Sequence, residues 1–380
     1  MTLFRDVIEL LGKIAPLHLA ETWDNVGLLM GDPPTNIRHL MTCLTITPEV
    51  VAEAVKEKAE LIVTHHPLLF KPTQRITSEN VEGRMLLKLA AAGISVYSPH
   101  TAYDNAPDGI NDQLAALLKL EEIRPLVSAM PKSPYKVVVF VPEQDLAPVS
   151  DAAFQAGAGI IGNYEQCSYR SSGTGTFFGN QNANPTIGKT GRREEVAEYR
   201  LELFCSSARL SAVLHAIHHT HSYETPAMDV YPLHPQTSSA SSYEGTGRIG
   251  QLPAPLTSQA LADQVSQLLQ TPVNLTGDRH LIQISSVAIV CGAGGSLLSQ
   301  AIKADADAFL TGEIRFHDEL AAQAAGVTVL AAGHYATERP GMEALARRLA
   351  SNLPHCKVWA SCAEQNPSQW VPSPTKPRSG

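Results

Sequence analysis

Short apolar runs and helical spacings take turns along the first third of the chain. MTLFRDVIELLGKIAP (1–16) has the spacing of an amphipathic helix. HLMTCLTIT (39–47) predicts a strand. PEVVAEAVKEKA (48–59) predicts a helix, with Pro48 in the first turn where a missing N–H costs nothing. ELIVTHH (60–66) predicts a second strand, running into two histidines. A helix around 83–92 leads to GISVYSPH (93–100), a third strand ending in His100, and DGINDQLAALLKL (108–120) is helical again. Such alternation is the signature of an α/β layer.

Residues 121–134 bear prolines and no periodicity, so they read as a connector. The rhythm then changes. YKVVVFVP (135–142) predicts a strand, DLAPVSDAAFQAGA (145–158) a helix, EQCSYRSSGTGTFF (165–178) a strand and EYRLELFCSS (198–207) another. ARLSAVLHAIHHTH (208–221) predicts a helix and TPAMDVYPL (225–233) the last strand. That β-α-β-β-α-β order is the ferredoxin-like pattern, an α+β unit inserted into the first. A Ser/Gly/Thr-rich stretch (234–247) reads as a loop-like, mobile linker. The α/β alternation then returns. SVAIVCGAGGS (286–296) is a strand entering a Gly-rich turn before a helix. DAFLTGE (307–313), RFHDELAAQAAG (315–326), VTVLAAGH (327–334) and ERPGMEALARRLA (338–350) continue as strand, helix, strand, helix, with KVWAS (357–361) as an edge strand. From Glu364 the Pro/Ser-rich tail is expected to pack poorly. The expected division is therefore a split α/β module, 1–130 and 241–362, an insert at 131–240 and a flexible tail at 363–380.

Composition narrows the class. The 380 residues are 44% hydrophobic and 17% charged, enough apolar material for a sizeable core and against disorder of the bulk. A formal charge of −8 gives no general electrostatic grip on nucleic acid or anionic membrane, so long nucleic acid is not an expected partner. No apolar run approaches the ~18 residues of a membrane span, and the N-terminal stretch lacks a clean cleavage site. Six scattered cysteines without a CxxC pair fit a reduced, cytoplasmic protein.

Three predicted strands end in candidate metal ligands: His65 and His66, then His100 and Asp104, then His334 and Glu338. The last two, four residues apart, share a face if a helix begins there. In open α/β sheets ligand sites gather beyond the carboxyl ends of the strands, so one crevice can collect all three groups. Neutral imidazole suits Zn, Fe, Ni or Cu, carboxylate suits Mn or Mg, and a mixed site can hold two ions that polarise a bridging water. A single strand-end histidine is more often an ordinary hydrogen-bonded group; three such clusters in equivalent places weigh against coincidence. Other motifs carry less. His215, His218, His219 and His221 on the insert helix invite a metal or simply line a solvated face. NPTIGKT (184–190) lacks the earlier glycine of a phosphate loop, Ala183 standing there. CGAGGS (291–296) can cradle an anion on its N–H groups or serve tight strand–helix packing. Trp23, Asp24 and Asn25 lie near a pocket or form a turn, and Cys356 beside His355 sits in a segment expected to be peripheral.

ETWDNVGLLMGDP, LIVTHHPLLFKP, SPHTAYDNAPDGIND, CGAGGS, FLTGEIRFHDEL and GHYATERPGM closely resemble, in family order, the Nif-three-like dinuclear-metal proteins, also named GTP cyclohydrolase I type 2 homologues. The resemblance covers roughly 1–125 and 247–352. It implies that His65, His66, Asp104, His334 and Glu338 match the ligands of two divalent ions per subunit (Zn, Fe, Mn or similar), with His100 as an additional ligand or a supporting group. It also implies a toroidal homohexamer. EQCSYRSSGTGTFFG and HSYETPAMDVYPL resemble the PII-like insert of longer members, although Ser222 and Thr225 depart from a more usual HPYEEPA and put any role of His221 in doubt. Asp108 stands where a glycine is frequent. Two functions follow as expectations. One is a metal-dependent hydrolase whose activated water opens a purine nucleotide ring or cleaves a phosphoester. The other is a non-catalytic metal-binding or regulatory ring with the insert as sensor or gate.

Overall fold

The most deeply buried strands are short ones with a neighbour on each side. All four residues of Leu61–Thr64, of Ser95–Ser98 and of Ala308–Thr311 lie inside, as parallel strands covered on both faces must. The computed structural model describes residues 2–32, 34–128, 134–233, 243–277 and 283–368. Its contacts divide the chain into two units, Met1–Ala129 with Ser241–Gly380, and Met130–Ala240.

The first unit is mixed α/β and holds two principal sheets. One runs Lys357–Ala360, His39–Cys43, Leu61–Thr64, Ser95–Ser98, Gly27–Met30; only the last strand is antiparallel to its neighbour. The other runs Asn274–Thr276, Thr328–Ala331, Ala308–Thr311, Gln283–Val290, Gly245–Thr257, Glu121–Ser128, parallel among its second, third and fourth strands. Helix Phe4–Ile14 turns Val7, Leu11 and Ile14 into a core shared with Leu40, Leu61 and Val63 of the first sheet and with Met342, Leu345 and Leu349 of helix His334–Asn352.

Two expectations are corrected here. Residues 121–128 are no connector: Glu121–Ser128 is a strand, antiparallel to Gly245–Thr257. It lies at the sheet's edge, with one neighbour, where a proline such as Pro125 is tolerated because half of its backbone groups are unpaired anyway. The 245–247 end of the expected linker opens that neighbouring strand; 234–242 lies outside the described residues. The tail is also packed where it begins. The buried Glu364 carboxylate accepts from the N–H groups of Leu44 (2.9 Å) and Thr45 (2.6 Å) and pairs with Arg339 at 3.2 Å. Residues 369–380 lie outside the described residues.

Arg248 is the largest fully buried side chain. Its guanidinium meets Asp112 at 2.7–2.8 Å and donates to the carbonyls of Ala106, Gly245 and Gly247 at 2.7 Å each. Charge pairing and filled donor capacity make the burial tolerable, and the bonds tie the segment after Asp104 to the second sheet.

In the second unit the elements follow as Tyr135–Pro142, helix Leu146–Gln155, Ser168–Phe178, Arg193–Cys205, helix Leu210–Thr220 and Met228–Pro232. The strands form one antiparallel sheet with the fourth beside the first, the first beside the third and the third beside the second. Alternate residues Val137, Val139 and Val141, with Leu201 and Leu203, bury against Val149, Ala153, Val213 and Ile217 of the two helices.

Candidate metal centre

Three chain segments deliver the site. Strand Leu61–Thr64 stops where Thr64 Oγ1 turns back to the carbonyls of Leu44 and His66, and the chain then presents His65 and His66. Strand Ser95–Ser98 is followed by helix His100–Asn105, which sets His100 and Asp104 one turn apart. Strand Thr328–Ala331 is followed by Gly333 and a helix that begins at His334, earlier than 338–350 predicts, so His334 and Glu338 do share a face. His100 takes a φ of +27°, a left-handed backbone that a residue other than glycine adopts at a cost, held here by its side-chain contacts.

All six side chains meet. Glu338 Oε2 lies 3.2 Å from His66 Nε2 and 3.1 Å from His334 Nε2, and Glu338 Oε1 lies 3.9 Å from His65 Nε2. His65 Nε2 and Asp104 Oδ1 stand 3.6 Å apart, beyond hydrogen-bond reach. Ligand atoms of His65, His66 and His100, and again of His66, His334 and Glu338, fall within 4.8 Å of one another.

Electrostatics mark the cluster as unsatisfied. Burial, with the surrounding imidazoles adding, drives His65 down to about 3, so its ring is neutral. Burial and the neighbouring Glu338 carboxylate push Asp104 up to about 8. Burial alone would raise Glu338 too, but His334, His66 and His65 outweigh it and hold its carboxyl well below the usual range. The bond to Glu338, with Glu313 adding, raises His334 to about 9. Both ring nitrogens of His65 and Asp104 Oδ1 are buried without a hydrogen-bond partner. Such orphaned groups are costly. Converging imidazole and carboxyl groups, with those of His65 and Asp104 left without partners, are the donor types a divalent ion takes, so these residues fit one.

Around them lies a set of anchors that sequence reasoning found only in part. His66 Nδ1 meets Thr45 Oγ1 at 2.7 Å, His100 Nδ1 meets Asp24 Oδ1 at 2.8 Å, and His334 Nδ1 meets Glu313 Oε1 at 2.9 Å. Each bond fixes a ring through Nδ1, and in His66 and His334 it leaves Nε2 facing Glu338 in the cluster, the usual support of metal-binding histidines. Burial would raise Asp24, yet bonds from His100 and Thr101 bring it to about 2. Of the expected pocket residues, Trp23 lines the cavity beside the cluster, and the Asp24 side chain is buried against His100 and Thr101. Glu313 sits inside FLTGE without a distinguishing pattern, and no signal in the sequence marks Thr45.

The Gly-rich turn is explained by packing. Gly292 has a φ of +65°, and a Cβ there would fall on Glu338 Oε1. Its N–H goes to Thr337 Oγ1 (3.0 Å) and that of Gly294 to Thr311 Oγ1 (3.2 Å), so neither is spare for an anion. Cys356 is not peripheral: it packs in the first-sheet core, and burial raises its thiol to about 11. A cavity of about 580 Å³ opens onto the cluster beside Trp23, Phe70 and Leu297. Another, of about 620 Å³, reaches His66 and His334 past Glu313 and Tyr335.

Converging imidazoles and carboxylates at the strand exits of an α/β unit define a candidate metal-binding protein. The chain belongs to the Duf34/NIF3 (NGG1p interacting factor 3) family, whose model matches residues 2–367. It is 35% identical over 328 residues to the GTP cyclohydrolase 1 type 2 homolog of Halalkalibacterium halodurans, covering 86% of this chain and 87% of that one. Identity to the Mycobacterium leprae protein of the same name is 36% over 343 residues, 88% and 86% of the two chains. Among solved structures it is similar to a Bacillus cereus protein related to NIF3, with a TM-score of 0.66, 31% identity and coverage of 97% and 98%. A Staphylococcus aureus protein gives a TM-score of 0.70, 29% identity and coverage of 97% and 99%.

Proposed function

We propose that this chain is a metal-dependent hydrolase that holds two divalent ions on His65, His66, Asp104, His334 and Glu338, with His100 as a further donor. The observation that carries the reading is the buried, partnerless set of donor atoms on His65 and Asp104. When bound, such ions supply Lewis acidity and bring a coordinated water toward a neutral pKa. The chain's own part is to orient and to exclude water. Thr45, Asp24 and Glu313 aim three imidazoles inward, and His66, which faces Glu338, belongs to both donor triplets. Trp23 and Phe70 are 62% and 48% exposed beside the cavity, edge to face with ring centroids 6.0 Å apart. They offer a surface on which a planar base can lie. Together with the relatives' name, this favours a purine nucleotide, by ring opening or phosphoester hydrolysis.

The test is turnover of GTP and a phosphodiester panel by metal-loaded protein. Activity should vanish on chelation and in the His65→Ala, Glu338→Ala variant, together with the bound metal. Activity that survives loss of the metal overturns the reading. Metal bound without turnover across the panel favours the second one, a regulatory metal-binding assembly, which the separate core of Met130–Ala240 supports. A PII-like role for that insert as sensor or gate belongs to this second reading.

Two further proposals accompany the function. A homohexameric toroid is supported by the apolar pair Phe316 and Leu320, one turn apart on helix Phe316–Ala324 and 67% and 46% exposed. A cytoplasmic location is supported by six free cysteines. Among the described residues no helix is long and apolar enough to cross a membrane.

A further inference from the structure

We propose that His215 and His219 form a second transition-metal site, on the surface of the insert and independent of the cluster above. Both are exposed on helix Leu210–Thr220, whose opposite face anchors it through the buried Val213 and Ile217. Four residues apart, they stack on one face of the helix. Their Nε2 atoms lie 3.0 Å from each other and their ring centroids 4.2 Å. Two imidazole nitrogens at the usual ~2.0–2.1 Å from one ion, at angles between square and tetrahedral, are separated by about 2.9–3.4 Å. The pair is therefore already set at the bite of a shared ion.

The other histidines of the HAIHHTH run do not belong to it. His221 is buried, with Nε2 3.0 Å from the Phe140 carbonyl and Nδ1 accepting from the Tyr223 N–H. The His218 ring stands 6.1 Å from that of His219. His219 lies in the last turn of an 11-residue helix, where the helix dipole favours positive charge. Two imidazoles and open positions for water select Cu²⁺, Ni²⁺ or Zn²⁺ over Mg²⁺ or Ca²⁺. Exposed to solvent, the site would load and unload without passing through the buried cluster.

The test uses tag-free, full-length protein on a Ni²⁺-charged chelating resin and in Ni²⁺ equilibrium dialysis. Wild type should be retained. His215→Asn and His219→Asn should each abolish retention and remove one bound Ni²⁺ per chain, with an unchanged circular dichroism spectrum. His218→Asn should behave as wild type. The His65→Ala, Glu338→Ala variant should still be retained, which keeps this inference separate from the hydrolase reading. Failure of wild type to bind, loss of retention in the core variant, equal loss with His218→Asn, or retention by the His215→Asn, His219→Asn double variant would each overturn it.

Discussion

At the scale of single residues, the site depends on groups that would never touch a metal. Asp24 is held by the ring of His100 and by both the N–H and the hydroxyl of Thr101. Asp24→Ala frees that ring, and Thr45→Val frees His66. Each should weaken divalent-metal binding about 10–100-fold, read by equilibrium dialysis with Zn²⁺ or Mn²⁺; wild-type affinity in both would remove their anchoring role. That these side chains converge was legible because a histidine pair directly after a four-residue apolar strand has few structural uses. Thr45 was not, since nothing in a sequence says which hydroxyl will face an imidazole twenty-one residues away.

At the scale of elements, two carboxylates bind the C-terminal segment down. Glu364 holds Leu44 and Thr45. Glu53, on helix Pro48–Lys56, accepts from Trp359 Nε1 (3.2 Å), Ser361 Oγ (2.6 Å) and the N–H groups of Cys362 and Ala363. Burial opposes its charge, but these donors prevail and lower its pKa. A lowered folded-state pKa adds stability above the unfolded-state value near 4.3, and that stability is lost as pH falls through the folded value. Glu53→Gln should thus cost about 1–3 kcal/mol at pH 7 and progressively less toward pH 3, measured by denaturant melts at both ends. A penalty that does not change with pH would refute the charge-based account. Arg248→Ala, which strands Asp112, should cost about 3–5 kcal/mol in the same melts; a loss under 1 kcal/mol would show that water replaces the guanidinium.

Two of the elements that sequence reasoning missed share one cause. Glu121–Ser128 and Gly245–Thr257 contain Pro125, Gly245, Gly247, Gly250, Pro253 and Pro255, residues that locally favour turns. They become strands because each pairs with a partner more than a hundred positions away. By contrast, the alternation of Val137, Val139 and Val141 is local, and the insert's element order was readable from it.

For the whole molecule, native mass spectrometry of the intact chain should report six copies, and a monomer of 40.8 kDa would remove the ring. If the ring forms, the exposed Phe316 and Leu320 are its first candidates for burial: Phe316→Glu should shift the population to smaller species while leaving metal content intact.

The three donor pairs also set an order of events in the cell. His65, His66, His100 and Asp104 leave the ribosome roughly 230 residues ahead of Glu338, on the order of 10–50 s at ordinary synthesis rates. Throughout that interval, while the insert is being made, the growing chain carries only the incomplete imidazole-rich half of its site. An unfinished or truncated chain therefore carries one donor triplet, His65, His66 and His100, and lacks the other, which needs His334 and Glu338. A chain stalled before His334 can thus present only the first triplet, and the second waits on the last strand-and-helix pair, Thr328–Ala331 and His334–Asn352.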